Sequence, residues 1–128
     1  MSKYIIRATA TGYKFHLLAA NGQAIASSEV YNTLAACRKS IDSVAKCAPL
    51  APLEDQSLPG FRPAPHPKFE LFTDKSGTFR FRLKARNGKI IAVSDGYGTK
   101  SGCEKGIESV RVNAHAPVET DALPDTAF

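Results

Sequence analysis

The sequence of 128 residues lacks any apolar run near the roughly 20 residues that a membrane-spanning helix needs. Its first residues, MSKYIIRATATG, also lack the apolar stretch of a secretory signal peptide. Neither feature of a membrane or exported protein is therefore visible, and we expect a cytoplasmic protein that does not contact a membrane.

Cysteine is scarce, and its spacing does not suggest a metal site. The three cysteines form no CxxC pair, and they have no zinc-ligand spacing to the three histidines. An odd number of cysteines favours free thiols in a reducing compartment. We expect Cys37 and Cys103 to be buried on the apolar faces of helices, and Cys47 to be more exposed.

A catalytic constellation is missing as well. Ser28 with Glu29, and Ser94 with Asp95, match a hydrolytic site only in composition, because no histidine recurs beside either pair. A nucleophile without a base is not a catalyst. The glycine-rich segment DGYGTKSG is neither a Walker A motif nor a dinucleotide fingerprint, so its glycines are expected to serve turns and close packing. We therefore predict no enzymatic activity, no metal and no cofactor.

The main positive feature of the sequence is a repeat. AANGQAIASSEVYNT, residues 19–33, returns as ARNGKIIAVSDGYGT, residues 85–99, and identical residues recur beyond both ends of the match, which indicates an internal duplication. Six of the eight prolines lie in residues 48–67, after the helix of the first copy, and predict a largely extended connector. We divide the chain into a first repeat (1–55), a Pro-rich connector (56–67), a second repeat (68–121) and a flexible tail (122–128), with the two repeats forming one pseudo-symmetric domain.

Each copy is predicted to contain three strands followed by a helix. KFELFT and TFRFRLKA alternate at period two on either side of DKSG, as strands of a hairpin do. Asn87 and Gly88 predict a two-residue type I′ turn, which requires a positive φ at both residues. After IIAVSDGYG the period becomes helical, with Thr99 as the N-cap. The apolar stripe of this helix contains Cys103, Ile107, Val110 and Ala114.

Turn lengths predict which residues face each other across the strands. DKSGT suits a three-residue loop with a bulge at Gly77, which places Glu70 opposite Arg82, whereas ATGY in the first copy is one residue shorter and suits a two-residue loop. The type I′ turn places Arg80 opposite Asp95. Opposite charges that face each other across strands are favourable, which supports this register.

Residues 68–114, KFELFTDKSGTFRFRLKARNGKIIAVSDGYGTKSGCEKGIESVRVNA, resemble a repeat of the bacterial YegP-like family, also called UPF0339 or DUF1508. The resemblance implies an α+β fold of tandem β-β-β-α-β units, with one antiparallel sheet, two helices on one face, and the last strands swapped between the units. Leu53 and Val118 would be the inward residues of these last strands. The family has no established biochemical activity, and the duplication suggests a monomer because it already supplies the partner.

A basic stripe is the strongest candidate for a binding site. Alternation places Arg80, Arg82, Lys84 and Arg86 on one sheet face, and Lys89 continues the stripe across the turn. Ile91 and Val93 share this face, so the long basic stems can simply cover apolar surface, and we favour this structural interpretation. With Arg80 and Arg82 paired, the candidate binding residues are Phe72, Lys84, Arg86 and Lys89.

The charge of the chain permits contact with a polyanion but does not demand it. Seventeen basic and twelve acidic residues give a net charge of +5, a quantity that speaks to association rather than to fold. Phe72 is the one aromatic residue on the basic face, and RNA-binding sheets stack bases on two or three. We predict a non-catalytic interaction module with an unidentified macromolecular partner, and the alternative is nucleic-acid binding through the basic sheet face.

Overall fold

The computed structural model describes residues 1–120, and the tail predicted at 122–128 lies outside them. Each repeat has the β-β-β-α-β order that the resemblance implied. The first repeat contains strands β1 (Lys3–Ala8), β2 (Tyr13–Leu18) and β3 (Ala24–Ser27), helix α1 (Leu34–Cys47) and strand β4 (Leu53–Asp55). The second contains strands β5 (Lys68–Thr73), β6 (Phe79–Lys84) and β7 (Ile90–Val93), helix α2 (Lys100–Asn113) and strand β8 (Val118–Thr120).

The eight strands form one sheet in the order β4-β5-β6-β7-β3-β2-β1-β8. The last strand of each repeat has crossed to the other repeat, as the resemblance implied, and the α+β fold class is confirmed. The two swapped strands run parallel to their neighbours β5 and β1, so the sheet is mixed rather than wholly antiparallel. Parallel neighbours need a connection of about a dozen residues, and the Pro-rich connector between β4 and β5 has this length.

Both helices lie on one face of the sheet, and each helix packs on strands of both repeats. Helix α1 covers β2 and β7, and helix α2 covers β6 and β3. Thr33 and Thr99 cap the two helices by accepting hydrogen bonds from backbone N–H groups in the first turn. The predicted stripe of α2 is buried. Cys47 is buried too, contrary to expectation, because the chain after α1 turns back there and Ala51 donates to its carbonyl.

Aromatic pairs fill the centre of each repeat between the sheet and the helices. The rings of Tyr4 and Phe15 meet edge to face with centroids 5.7 Å apart, and those of Phe69 and Phe81 do so at 6.0 Å. Such pairs add stability beyond the area that they bury. Val118 pairs with Tyr4 on the same side of the sheet, but it remains exposed because β8 is an edge strand.

Two of the three predicted hairpin turns are confirmed, including the two-residue loop between β1 and β2, where Thr9 donates to the carbonyl of Gly12. Gly77 has a φ of 84° in a three-residue loop, and Glu70 faces Arg82 as predicted. The prediction of a type I′ turn at Asn87 is wrong, because Gly88 has a positive φ, of 81°, but Asn87 does not. The Asn87 side chain accepts the N–H of Lys89 and so caps a three-residue loop with a bulge.

The strand-to-helix junctions of the two repeats pack with opposite pairs of small and large residues. Gly12 lies against Val30 in the first repeat, and the equivalent residues in the second are Thr78 and Gly96. A Cβ atom at Gly96 would lie 2.3 Å from Cγ2 of Thr78. Each repeat has therefore kept one glycine at this junction, on opposite sides of it, and Gly96 serves the close packing that the sequence predicted.

Gly96→Ala is expected to lower the free energy of unfolding by about 1 to 2 kcal/mol, because the added methyl group overpacks the junction. Adding Thr78→Ser removes the Cγ2 atom that it meets and should recover most of the loss. Urea denaturation of both variants measures this, with Gly98→Ala as the control because a Cβ atom added there would have no atom within 4 Å apart from its chain neighbours. A double variant as unstable as Gly96→Ala would contradict the collision.

Candidate functional site

The predicted basic stripe does not form a continuous set of unpaired cations. Arg80 pairs with Asp74, at 2.8 Å between Nε and Oδ2, and not with Asp95 as the register predicted. The reason is the turn after β5, where Asp74 also accepts backbone N–H groups and is held beside the arginine. The hydrogen bond from Arg80 has the largest effect on the pKa of Asp74. Together with the hydrogen bonds within the turn, it keeps this pKa below its usual range.

Lys84 is also paired, which corrects the expectation that it is free. Its Nζ lies 3.3 Å from Oε2 of Glu70, and Nε of Arg82 lies 2.5 Å from Oε1 of the same carboxylate. The guanidinium of Arg82 also lies over the ring of Phe72, 4.3 Å from its centroid. A stacked cation covers the face that a nucleic-acid base would need.

A buried charge network lies beneath these residues at the β4 edge of the sheet. Nζ of Lys68 lies 2.7 Å from Oε1 of Glu54 and 3.1 Å from Oε2 of Glu70. Both carboxylates are only 2% exposed. Glu54 also accepts hydrogen bonds from the Gln56 side chain and from the backbone N–H of Ala64. The network therefore fastens the Pro-rich connector to the sheet.

Arg86 and Lys89 lie elsewhere, on the loop between β6 and β7, where they border a groove against helix α1. The groove consists of two adjoining cavities of about 390 and 280 Å³, and both are lined by Ser43, Ala85 and Asn87. We call this cleft the α1 groove. Its cationic residues are Lys39 and Lys46 from helix α1, and Arg86 and Lys89 from the loop.

The α1 groove is strongly cationic at its rim. All four basic side chains are exposed, and within residues 1–120 none has a carboxylate within salt-bridge distance. Glu29 is the one acidic residue among those that line the groove, and it borders the larger cavity. A cleft lined by one sign of charge concentrates ions of the opposite sign.

The floor of the α1 groove is mostly aliphatic. Ile91 was expected on the basic sheet face, but it is buried in the core and lines this groove, because the β-bulge displaces it. Tyr31 lines the same cavity, and its hydroxyl lies 2.7 Å from that of Ser40. The aliphatic lining residues are Ala36, Ala85, Ile90 and Ile91.

The duplication provides an internal comparison, because the second repeat has a corresponding groove of about 380 Å³ beside the loop from β2 to β3, although no residue of helix α2 lines it. That groove keeps the acidic residue, as Asp95, and the tyrosine, as Tyr97. The four cationic positions differ, since only one of the corresponding residues of the second repeat is basic. Lys39, Lys46, Arg86 and Lys89 correspond to Lys105, Val112, Ala20 and Gln23.

Sequence reasoning found two of the four cations and missed Lys39 and Lys46. On an exposed helix face, these lysines look like ordinary solvated charges. The available signal was the difference between the copies, because three of four basic positions in one groove are uncharged in the other.

The recurring serines and cysteines have structural roles. Ser28 and Ser94 each accept a hydrogen bond from a backbone N–H of the neighbouring strand and donate one to the next carbonyl along the chain. Burial raises the pKa of both Cys37 and Cys103 to about 11, which keeps them as unreactive thiols at neutral pH.

The described part of the chain lacks two further features. Within residues 1–120, no group of three or more His, Cys, Asp or Glu side chains could hold a metal ion. No helix in the same range is both long enough and apolar enough to cross a bilayer.

Comparison with known proteins places both repeats in one family. The model of the family described as "Domain of unknown function (DUF1508)" matches residues 8–55 and 74–119. The UPF0339 protein YegP of Escherichia coli O6:H1 is 34% identical over 109 residues, which are 85% of this chain and 86% of YegP. A UPF0339 protein of Methanosarcina acetivorans is 62% identical over 47 residues, which are 37% of this chain but 81% of that protein. That relative is therefore about the size of one repeat.

Solved structures show the same architecture. The solution NMR structure of YegP from E. coli, titled a protein of unknown function, matches with a TM-score of 0.78 and 28% identity, over 95% of this chain and 94% of that one. The UPF0339 protein of Shewanella oneidensis matches with a TM-score of 0.79 and 25% identity, over 95% of this chain and 92% of that one. From the two family matches and these relatives, the chain belongs to the DUF1508 family, also named UPF0339.

Proposed function

We propose that this protein is a non-catalytic binding module, monomeric and cytoplasmic, whose ligand site is the α1 groove and whose ligand is negatively charged. The observation that carries the proposal is the difference in charge between the two equivalent grooves. Both grooves derive from the same duplicated sequence, so the requirements of the fold alone would give them similar charges. Four unpaired cations at the α1 groove, against a single basic residue at the corresponding positions of the second repeat, favour a specialised site.

Nucleic-acid binding through the flat sheet face is a weaker candidate. Lys84 shares the Glu70 carboxylate with Arg82, and Arg82 covers the ring of Phe72. Of the four residues predicted for this face, Arg86 and Lys89 lie at the α1 groove instead. A polyanion on the flat face would have to displace existing ion pairs, whereas one in the groove would not.

Changing the four groove cations to glutamine is expected to weaken the binding of a decaglutamate peptide at least tenfold at low salt. Each cation that contacts a carboxylate contributes Coulomb attraction that salt screens. Isothermal titration at about 20 and 200 mM salt measures this loss, and the NMR shifts of labelled protein should map the peptide to residues of α1 and the β6–β7 loop.

The matched control changes four other exposed cations to glutamine, so that both variants have the same net charge. These are Arg7, Arg62, Lys75 and Lys105. The control should lose less than about threefold in affinity, since none of these cations lines the groove and they act only through the screened overall field. Equal losses in the two variants, or shifts outside the groove, would contradict the proposal.

A further inference from the structure

We infer that the ligand of the α1 groove is an acidic peptide segment of a partner protein that carries apolar side chains between its carboxylates. This inference rests on the proposed function and narrows it to one class of ligand. It follows from three features of the groove: its aliphatic floor, its two cationic walls and its single acidic residue.

The floor selects against a ligand that is only charged. The aliphatic residues that line the groove together with the cations are Ile90, Ile91, Ala36 and Ala85. A ligand that places an apolar side chain there removes this surface from water, which is favourable in proportion to the area buried. A chain of carboxylates or phosphates alone would leave the floor unused.

The two walls suit an extended peptide. Lys39 and Lys46 lie seven residues apart on α1, which is two helical turns or about 10 Å, while Arg86 and Lys89 face them from the loop. An extended chain advances about 3.3 Å per residue and alternates its side chains between its two faces. A segment of alternating acidic and apolar residues can therefore direct carboxylates to the walls and apolar groups to the floor.

Two features disfavour a nucleic-acid strand. Single strands bind where successive bases stack on aromatic side chains, and Tyr31 is the one aromatic residue among those that line the groove. Its ring is half-buried, and its hydroxyl is engaged with Ser40. Glu29 would also repel a strand that has a phosphate on every nucleotide, whereas a peptide can place an uncharged residue there.

The test compares three synthetic probes on the full chain: a decapeptide of alternating Glu and Leu, decaglutamate and a decamer of thymidylate. The alternating peptide is expected to bind about tenfold more tightly than decaglutamate, although it has half the carboxylates, because one buried Leu contributes about this factor. Titrations at equal ionic strength measure the difference.

Ile90→Ser supplies the specific variant, and Val112→Ser is its control. Ile90 lines the groove floor, and Val112 is an exposed apolar residue of α2 at the position that corresponds to Lys46. We expect Ile90→Ser to weaken the alternating peptide about fivefold or more and to change decaglutamate binding less than about twofold. Val112→Ser should change neither.

The outcomes separate this inference from the function on which it rests. If decaglutamate or the thymidylate decamer binds in the groove as tightly as the alternating peptide, the peptide inference is overturned, and anion binding at the groove stands. If none of the three probes shifts groove resonances, both fail. Loss of the alternating peptide's advantage in Val112→Ser would also overturn the inference, because the apolar contact would then lie elsewhere.

Discussion

Lys68→Met is expected to lower the free energy of unfolding by about 3 kcal/mol. The substitution removes the ammonium group between Glu54 and Glu70 and leaves two buried carboxylates with one cation fewer. Leaving a buried charge without its partner costs far more free energy than the ion pair contributed when it formed. The expected loss lies at the lower end of the usual range because Arg82 and Lys84 remain beside Glu70 and are partly exposed to water. Urea denaturation at pH 7 measures the loss.

The first repeat provides the control for this prediction. Lys3 begins β1 as Lys68 begins β5, and it pairs with Glu119 across an exposed edge of the sheet. Lys3→Met should change stability by less than about 0.5 kcal/mol, as exposed ion pairs usually do. Similar losses in the two variants would show that burial of the network is not what makes Lys68 important.

The cost of Lys68→Met should shrink as the pH falls. Burial raises the pKa of Glu54, but hydrogen bonds from Lys68, Gln56 and Ala64 outweigh it and lower the pKa from 4.5 to about 2. A lowered folded-state pKa stabilises the fold above about pH 4.5, and this contribution disappears as the pH falls towards 2. The Lys68→Met variant lacks part of this contribution. The free energies of unfolding of the variant and the parent protein should therefore converge between pH 5 and about pH 3. A gap that widens on acidification would contradict this assignment.

Gly12→Ala is the second large effect that we expect, with a loss of about 3 kcal/mol. A Cβ atom at this position would lie 2.0 Å from the carbonyl oxygen of Tyr31. This carbonyl accepts the N–H of Tyr13, and the N–H of Tyr31 donates back to the carbonyl of Tyr13. The contact is with backbone, which cannot rotate away as a side chain can, so both hydrogen bonds would be disturbed.

Thermal and urea unfolding of Gly12→Ala would be compared with those of Gly98→Ala, which introduces the same methyl group into open space. The control should stay within about 0.5 kcal/mol of the parent. The altered junction should also appear in NMR spectra as shifts at Tyr13 and Tyr31. A Gly12→Ala protein as stable as the control would show that the turn relaxes easily. The close approach to the Tyr31 carbonyl would then not require glycine at position 12.

Much of each repeat could be predicted from local sequence. The helix caps at Thr33 and Thr99, the buried stripe of α2 and the pairing of Glu70 with Arg82 all depend on residues close together in the chain. The prediction that β4 and β8 are swapped depended on the family resemblance, because the sequence of a three-residue strand does not indicate which strand it pairs with. The type I′ turn failed because the Asn87 side chain caps the loop, an interaction that strand alternation does not reveal.

The candidate site was less predictable, because it depends on which helix packs over which strand. Alternation correctly placed Lys84 on the face without helices, but it extended the stripe to Arg86 and Lys89, which belong to a loop that bends towards α1. Helical periodicity showed that the outer face of α1 is polar. It did not show that this helix crosses from its own repeat to β7, which is what brings Lys39 and Lys46 close to the loop.

The pairing of β1 with β8 has a consequence for the order in which the chain can fold during synthesis. Tyr4 faces Val118, so the outer edge of β1 gains its neighbour only after nearly all of the described chain has been made. At ribosomal rates of about 5–20 residues per second, this delay is on the order of ten seconds. During that time the nascent chain exposes an unpaired strand that contains Tyr4, Ile5 and Ile6. A stalled or cleaved product that ends before Val118 would keep this edge unpaired and open to pairing with other chains.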